Sequence, residues 1–147
     1  MPLPLLLDMK VVTDHIDVKT RAEDDIVDIT VEVQRAVVDS GLRAGIATIF
    51  VPGSTAAVTT IEFEPGLKED FPRMLDMVAP AEIEYEHEKR WYDGNGRSHV
   101  KAALVGPSLT VPFDGGNLTL GTWQQIVLVE LDTRARSRRI VVQIMGE

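Results

Sequence analysis

The chain has 147 residues, 44% of them hydrophobic and 26% charged, a net charge of −8 and no cysteine. That length suits one domain spanning 1–147 with a real core. The acidic balance argues against non-specific nucleic-acid binding, the missing cysteines exclude disulfides and thiolate metal sites, and no apolar run approaches the ~20 residues of a membrane span. The expectation is a cytoplasmic globular protein with neither nucleic-acid nor membrane partners.

In chain order, the apolar start Pro2 to Leu7 runs into Asp8 and predicts an N-terminal arm or strand over 1–8. Met9 to Thr20 is rich in β-branched residues and predicts an extended strand. From Asp28 to Gly41 the apolar residues Ile29, Val33, Ala36 and Val37 fall at helical spacing, with Asp28 as N-cap and Gly41 just past the end. Gly45 to Val51 and Ala56 to Phe63 are strands by composition, joined through Pro52-Gly53-Ser54. Leu67 to Val78 forms one apolar helical stripe, with Pro72 expected near the first turn. Segment 81–92 is ambiguous and leans to a short strand at Ile83 to His87. Ser98 to Val105 predicts a short helix. Leu109 to Phe113 and Asn117 to Leu120 predict a hairpin across Asp114-Gly115-Gly116. Gln125 to Leu131 and Arg139 to Met145 predict a last hairpin across Asp132 to Ser137. Strands interspersed with about three helices indicate an α+β domain on a largely antiparallel sheet.

The most functionally suggestive stretch is Tyr92-Asp93-Gly94-Asn95-Gly96-Arg97-Ser98-His99, which crowds an acid, an amide, a guanidinium, a hydroxyl and an imidazole around two glycines. It opens a helix, whose free N–H groups suit an anion. Arg97 and Lys101, four apart, would share a helix face and cradle a phosphate; the simpler reading is a glycine-rich turn with two solvated cations. His87 and His99, with a carboxylate such as Asp93 or Glu64, suit a divalent metal, Mg or Zn, although each imidazole would equally serve as an ordinary hydrogen-bonded histidine. Ser54 and Thr55 leave room for a ligand and offer hydroxyls to it, or bond their own turn. Glu62 and Glu64 fall on one face of an extended strand. Trp123 and Gln124 suit stacking on a ring and reading its edge, or a core position at a strand end.

Taken together, Gly53 to Val58, Glu62 to Asp70, His87, Asp93-Gly94-Asn95 with His99, Leu104 to Ser108, Leu120 to Gln125 and the ending Arg139 to Glu147 resemble, in order and spacing, the YjbQ-like family, described as secondary thiamine-phosphate synthases. The resemblance spans roughly Thr30 to Glu147. It implies a compact α+β fold with a sandwich- or barrel-like sheet, assembly as a homo-oligomer, commonly a trimer, and a small phosphorylated ligand. It also implies a weak transferase activity that joins a pyrimidine methyl diphosphate to a thiazole phosphate and releases pyrophosphate. On that reading His99, His87, Asp93, Asn95 and Arg97 are the catalytic set. Ser54, Thr55, Lys101, Trp123 and Gln124 bind substrate, and His87, His99 and Glu64 hold the metal. Many relatives carry a histidine where this chain has Gly53-Ser54, so a metal site built on that histidine would need another group or a water here. The competing expectation is a non-catalytic oligomer that binds a small anion or a metal.

Overall fold

The computed structural model describes residues 8–147, so the arm expected over 1–8 lies, apart from Asp8, outside the described residues. The elements are β1 (Lys10–Lys19), β2 (Ile26–Asp28), α1 (Thr30–Ser40), β3 (Gly45–Phe50), β4 (Ala56–Ile61), α2 (Pro65–Val78), α3 (Glu86–Trp91), α4 (Gly96–Val105), β5 (Ser108–Asp114), β6 (Asn117–Leu118), β7 (Gln125–Glu130) and β8 (Ser137–Gly146). Two antiparallel sheets result, one in the order β1-β8-β3-β5-β6 and one in the order β2-β7-β4. They meet where Val51 N–H donates to Pro107 O (2.9 Å) and Val58 N–H to Gly106 O (3.1 Å). Together they curl as a half-barrel, with α1 packed into the core by Val33, Ala36 and Val37.

Two kinds of strand account for the two sheets. β8 alternates, with Ile140, Val142 and Ile144 turned to the core and Arg139, Gln143 and Met145 turned out. β7 is buried continuously from Ile126 to Glu130. Its Ile126 and Leu128 enter the core shared with α1 and the large sheet, while Val127 and Val129 enter a second core with Leu75 of α2 and Ala102 of α4. β7 is therefore covered on both faces, whereas β8 keeps one face toward solvent. This corrects the expected last hairpin: β7 pairs with β2 and β4, β8 pairs with β1 and β3, and Asp132 to Ser137 carries the chain from one sheet to the other.

Other boundaries also moved. The helices number four among the described residues, because Ile83 to His87 is not a strand. Ile83 is exposed, and Glu86 to Trp91 is a run of strong helix formers braced by Lys89 to Glu86 at 2.8 Å. α2 starts two residues early at Pro65, a helix-opening proline, which places Pro72 in the helix interior rather than its first turn. Asp28 stands one residue outside the α1 cap and accepts from Thr30 N–H at 2.9 Å and Thr30 Oγ at 2.6 Å. The Gly115-Gly116 turn matches expectation, with both φ angles positive (57° and 76°), as a two-residue hairpin loop requires.

Candidate functional site

α3 and α4 are joined by the short link Tyr92 to Asn95, which folds the two helices together. Gly96, the first residue of α4, donates its N–H to Glu88 Oε1. A Cβ on Gly96 would lie 2.6 Å from that oxygen and 2.7 Å from Tyr85 Cβ, so only glycine permits this approach. The helix N-terminus expected to bind an outside anion therefore receives the chain's own Glu88 carboxylate.

The same closure stacks His87 of α3 on His99 of α4, with ring centroids 4.3 Å apart and planes tilted by 38°. His87 Nδ1 is buried and makes no hydrogen bond among the described residues; it lies 3.4 Å from Asp93 Oδ1 and 4.0 Å from Glu88 Oε1. Asn95, itself buried, donates its amide to Asp93 Oδ1 at 2.8 Å and Oδ2 at 3.2 Å when the amide is oriented to satisfy both groups. His99 then borders a cavity of about 330 Å³ shared with Gly53, Ser54, Ala56, Ala102, Ala103 and Pro107. His87, Asp93, Asn95, His99 and Ser54 are thus brought into one neighbourhood from three parts of the chain.

For a divalent metal, the donors that converge are His87, Glu88 and Asp93, whose ligand atoms all lie within 4.8 Å of one another. The orphaned His87 Nδ1 and two carboxylates already oriented by hydrogen bonds fit such an ion. Glu64 does not join them. Its carboxylate caps α2, accepting from Gly66 N–H at 2.8 Å and from Leu67 N–H. Nor do Glu62 and Glu64 share a strand face, because β4 ends at Ile61.

Arg97 and Lys101 do share a face of α4, but both are already paired. Arg97 grips Glu23 with Nε and Nη2, each at 2.9 Å, and Lys101, fully buried, bonds Asp76 of α2. Asp24 sits beside this group with a positive φ of 66° and one buried oxygen without a partner. Burial raises the Asp24 carboxyl above its ordinary value, and the attraction of Lys101 only partly opposes it. A carboxyl that holds its proton more tightly in the folded state weakens the fold as pH rises through that raised value. Asp24→Asn, a residue that tolerates the left-handed backbone, is expected to raise the melting temperature at neutral pH. The gain should shrink as pH falls into the ordinary carboxylate range, where the wild-type group takes up its proton more readily than it does unfolded; thermal melts at neutral and acid pH check it.

Trp123 and Gln124 lie apart from the histidines within one chain. Trp123 is 73% exposed, and Gln124 bonds Thr60 Oγ at 3.1 Å near the far end of β4. From Ala56, which borders the His99 cavity, to Thr60 the strand runs about 13 Å. Thr55 faces inward instead, into a polar network that the sequence reading missed: Glu130 at the end of β7, Asp132 just after it, Arg136, and Arg138 of β8. Glu88 was missed as well. Its signal was adjacency to His87; the network's signal was the run of alternating charges between two apolar strands.

Known proteins place this architecture. The model of the UPF0047 protein YjbQ-like family matches residues 14–147. A UPF0047 protein of Methanothermobacter thermautotrophicus is 38% identical over 95% of this chain and 95% of its own, and one of Mycobacterium tuberculosis is 42% identical over 87% and 95%. The crystal structure of a YjbQ-like protein of unknown function from Sulfolobus solfataricus superposes with a TM-score of 0.89 at 40% identity, covering 95% of this chain and 99% of that one. An uncharacterized family member from Clostridium acetobutylicum gives 0.80 at 36%, over 89% and 98%. None of these descriptions states a reaction. No helix among the described residues is long and apolar enough to cross a membrane. Matched across nearly its whole length in both sequence and fold, the chain belongs to the UPF0047, YjbQ-like family.

Proposed function

We propose that the chain is a weak thiamine-phosphate synthase-like transferase working at the His87–Asp93–His99 group and the adjoining cavity. The observation that carries this is the pair of imidazoles stacked at 4.3 Å beside Asp93, on the border of a cavity large enough for a small ring substrate. In the reaction, the thiazole nitrogen attacks the methylene carbon of the pyrimidine, a C–N bond forms, and the C–O bond to the diphosphate breaks. Charge grows on the departing diphosphate, and groups that meet it there accelerate the step. His99, on the cavity wall, would donate a hydrogen bond or a proton to that oxygen, while Asp93, held by Asn95, faces His87 Nδ1 at 3.4 Å and favours its charged form. A divalent cation, Zn being better suited than Mg to an imidazole, would be held by His87, Glu88 and Asp93 and would supply positive charge toward the diphosphate.

A second reading, a non-catalytic oligomer that binds a small anion or a metal, is favoured by the distance of Trp123 from the histidines, which leaves one chain without an aromatic platform for a pyrimidine. One assay separates the two. Purified protein is incubated with the pyrimidine methyl diphosphate and the thiazole phosphate, with and without added Mg or Zn after chelator treatment. Thiamine phosphate and pyrophosphate are both measured. The transferase reading expects the two products in equal amounts and a loss of rate after chelation. Binding of pyrophosphate or metal with no thiamine phosphate formed supports the second reading instead.

A further inference from the structure

The cations picked out beside the site, Arg97 and Lys101, are held by Glu23 and Asp76, so an anionic ligand in the His99 cavity has to be met by something else. Arg138 of β8 is the group in position. Its side chain is 9% exposed, and three of its five N–H bonds are fixed: Nε to Glu130 Oε1 at 2.9 Å, and Nη2 to Thr55 Oγ at 2.9 Å and to Glu130 Oε2. Glu130 is fixed in turn by Thr20 Oγ at 2.8 Å and Asp132 N–H at 3.2 Å. Arg138 Nη1 makes no hydrogen bond among the described residues. It is aimed at Gly53, where a Cβ would stand only 3.1 Å away. Gly53 and Ser54 are also cavity walls. Arg138 is not itself a wall of the cavity; it stands behind Gly53, which carries no side chain to screen the guanidinium edge. Its idle pair of N–H bonds is open to solvent, where an incoming acceptor can take the place of water.

We propose that Arg138 Nη1, with the Ser54 hydroxyl and His99, forms an oxyanion subsite that takes a phosphoryl group of the ligand in this cavity. Glu130 balances the charge of Arg138, so the subsite works as a rigid, correctly oriented pair of donors rather than as free positive charge, and this suits an acidic protein. The proposal rests on the ligand occupying the cavity, as in the function proposed above, but not on the transferase chemistry.

The test is titration calorimetry of the full chain with inorganic pyrophosphate. Wild type should bind. Arg138→Lys, which keeps a charge for Glu130 and removes Nη1, should weaken binding by about ten- to a hundredfold. Ser54→Val should weaken it several-fold. Arg139→Gln, on the opposite face of β8 and 69% exposed, should leave it unchanged. The proposal is overturned by absent wild-type binding, by a folded Arg138→Lys protein that binds as wild type does, or by an equal loss in Arg139→Gln. Should Arg138→Lys fail to fold, Ser54→Val decides: unchanged affinity overturns the subsite. Arg138-dependent pyrophosphate binding without thiamine phosphate formation sinks the transferase and leaves the subsite standing. Turnover with the same kinetics in Arg138→Lys does the reverse.

Discussion

Glu130→Leu is expected to lower the unfolding free energy by about 3–5 kcal/mol, because removing one partner of a buried ion pair leaves the other charge uncompensated. Glu130 is fully buried and accepts from Arg138 Nε and Nη2, Thr20 Oγ and Asp132 N–H, so one substitution removes four hydrogen bonds. For a chain of this length the loss corresponds to a melting temperature lower by roughly 10–15 °C. The double variant Glu130→Leu with Arg138→Met should recover a large part of it, since well-packed apolar side chains often replace a buried pair without penalty. A single variant that melts within about 2 °C of wild type would show the network to be energetically idle.

The neighbouring Asp132 gives this network a pH signature. Burial, the largest single influence on its carboxyl, raises its affinity for a proton. The hydrogen bond from Arg136, the N–H of Thr133, the charge of Arg136 and the hydroxyl of Thr55 together outweigh burial and hold the carboxyl below the usual range. A carboxylate favoured in the folded state adds stability that is complete above its unfolded value of about 3.9 and is lost as pH falls through the lower folded value. Asp132→Asn should therefore cost stability at neutral pH and flatten the acid limb of the pH–stability curve. Denaturant titrations between about pH 2 and pH 7 measure that limb.

What was legible in the sequence followed the reach of the physical signal. Strand β1, helix α1 and the Gly115-Gly116 turn were readable because period and turn chemistry act over a few residues. The pairing of β7 and β8 was not. Nearness in sequence favoured a hairpin, whereas two-sided burial of β7 is decided by α2 and α4, which arrive from elsewhere. The strand expected at Ile83 to His87 failed for a related reason: alternation of two apolar residues is weak against a helix carrying the four charged helix formers Glu86, Glu88, Lys89 and Arg90, with no sheet edge to pair. At the site, the His87–His99 neighbourhood was legible from their shared polar surroundings. The fates of Arg97, Lys101 and Glu64 were not, because each is claimed by a partner whose position only the fold sets: Glu23 in the loop after β1, Asp76 one helix away, and the start of α2. The same gap hid Arg138, which the sequence shows only as one basic residue among several.

On the transferase reading proposed above, His99→Ala is expected to reduce thiamine phosphate formation by about 10²–10⁴-fold, the usual contribution of a positioned acid–base group. His99 is the imidazole on the cavity wall, whereas His87 lies behind it, stacked at 4.3 Å and facing Asp93. The two positions predict different kinetics. Loss of His99 removes a contact made as the diphosphate departs, so kcat should fall with little change in KM. Loss of His87 removes the stacked support and, on the same reading, one proposed metal donor, so His87→Ala should show a smaller fall in kcat that added Zn or Mg partly restores. Arg139→Gln, on the outer face of the large sheet, serves as the control for general damage. A His99→Ala protein with wild-type turnover and an unchanged melt would take the imidazole out of the chemistry. The cavity would then remain a binding site only, because no other titratable side chain among the described residues lines it.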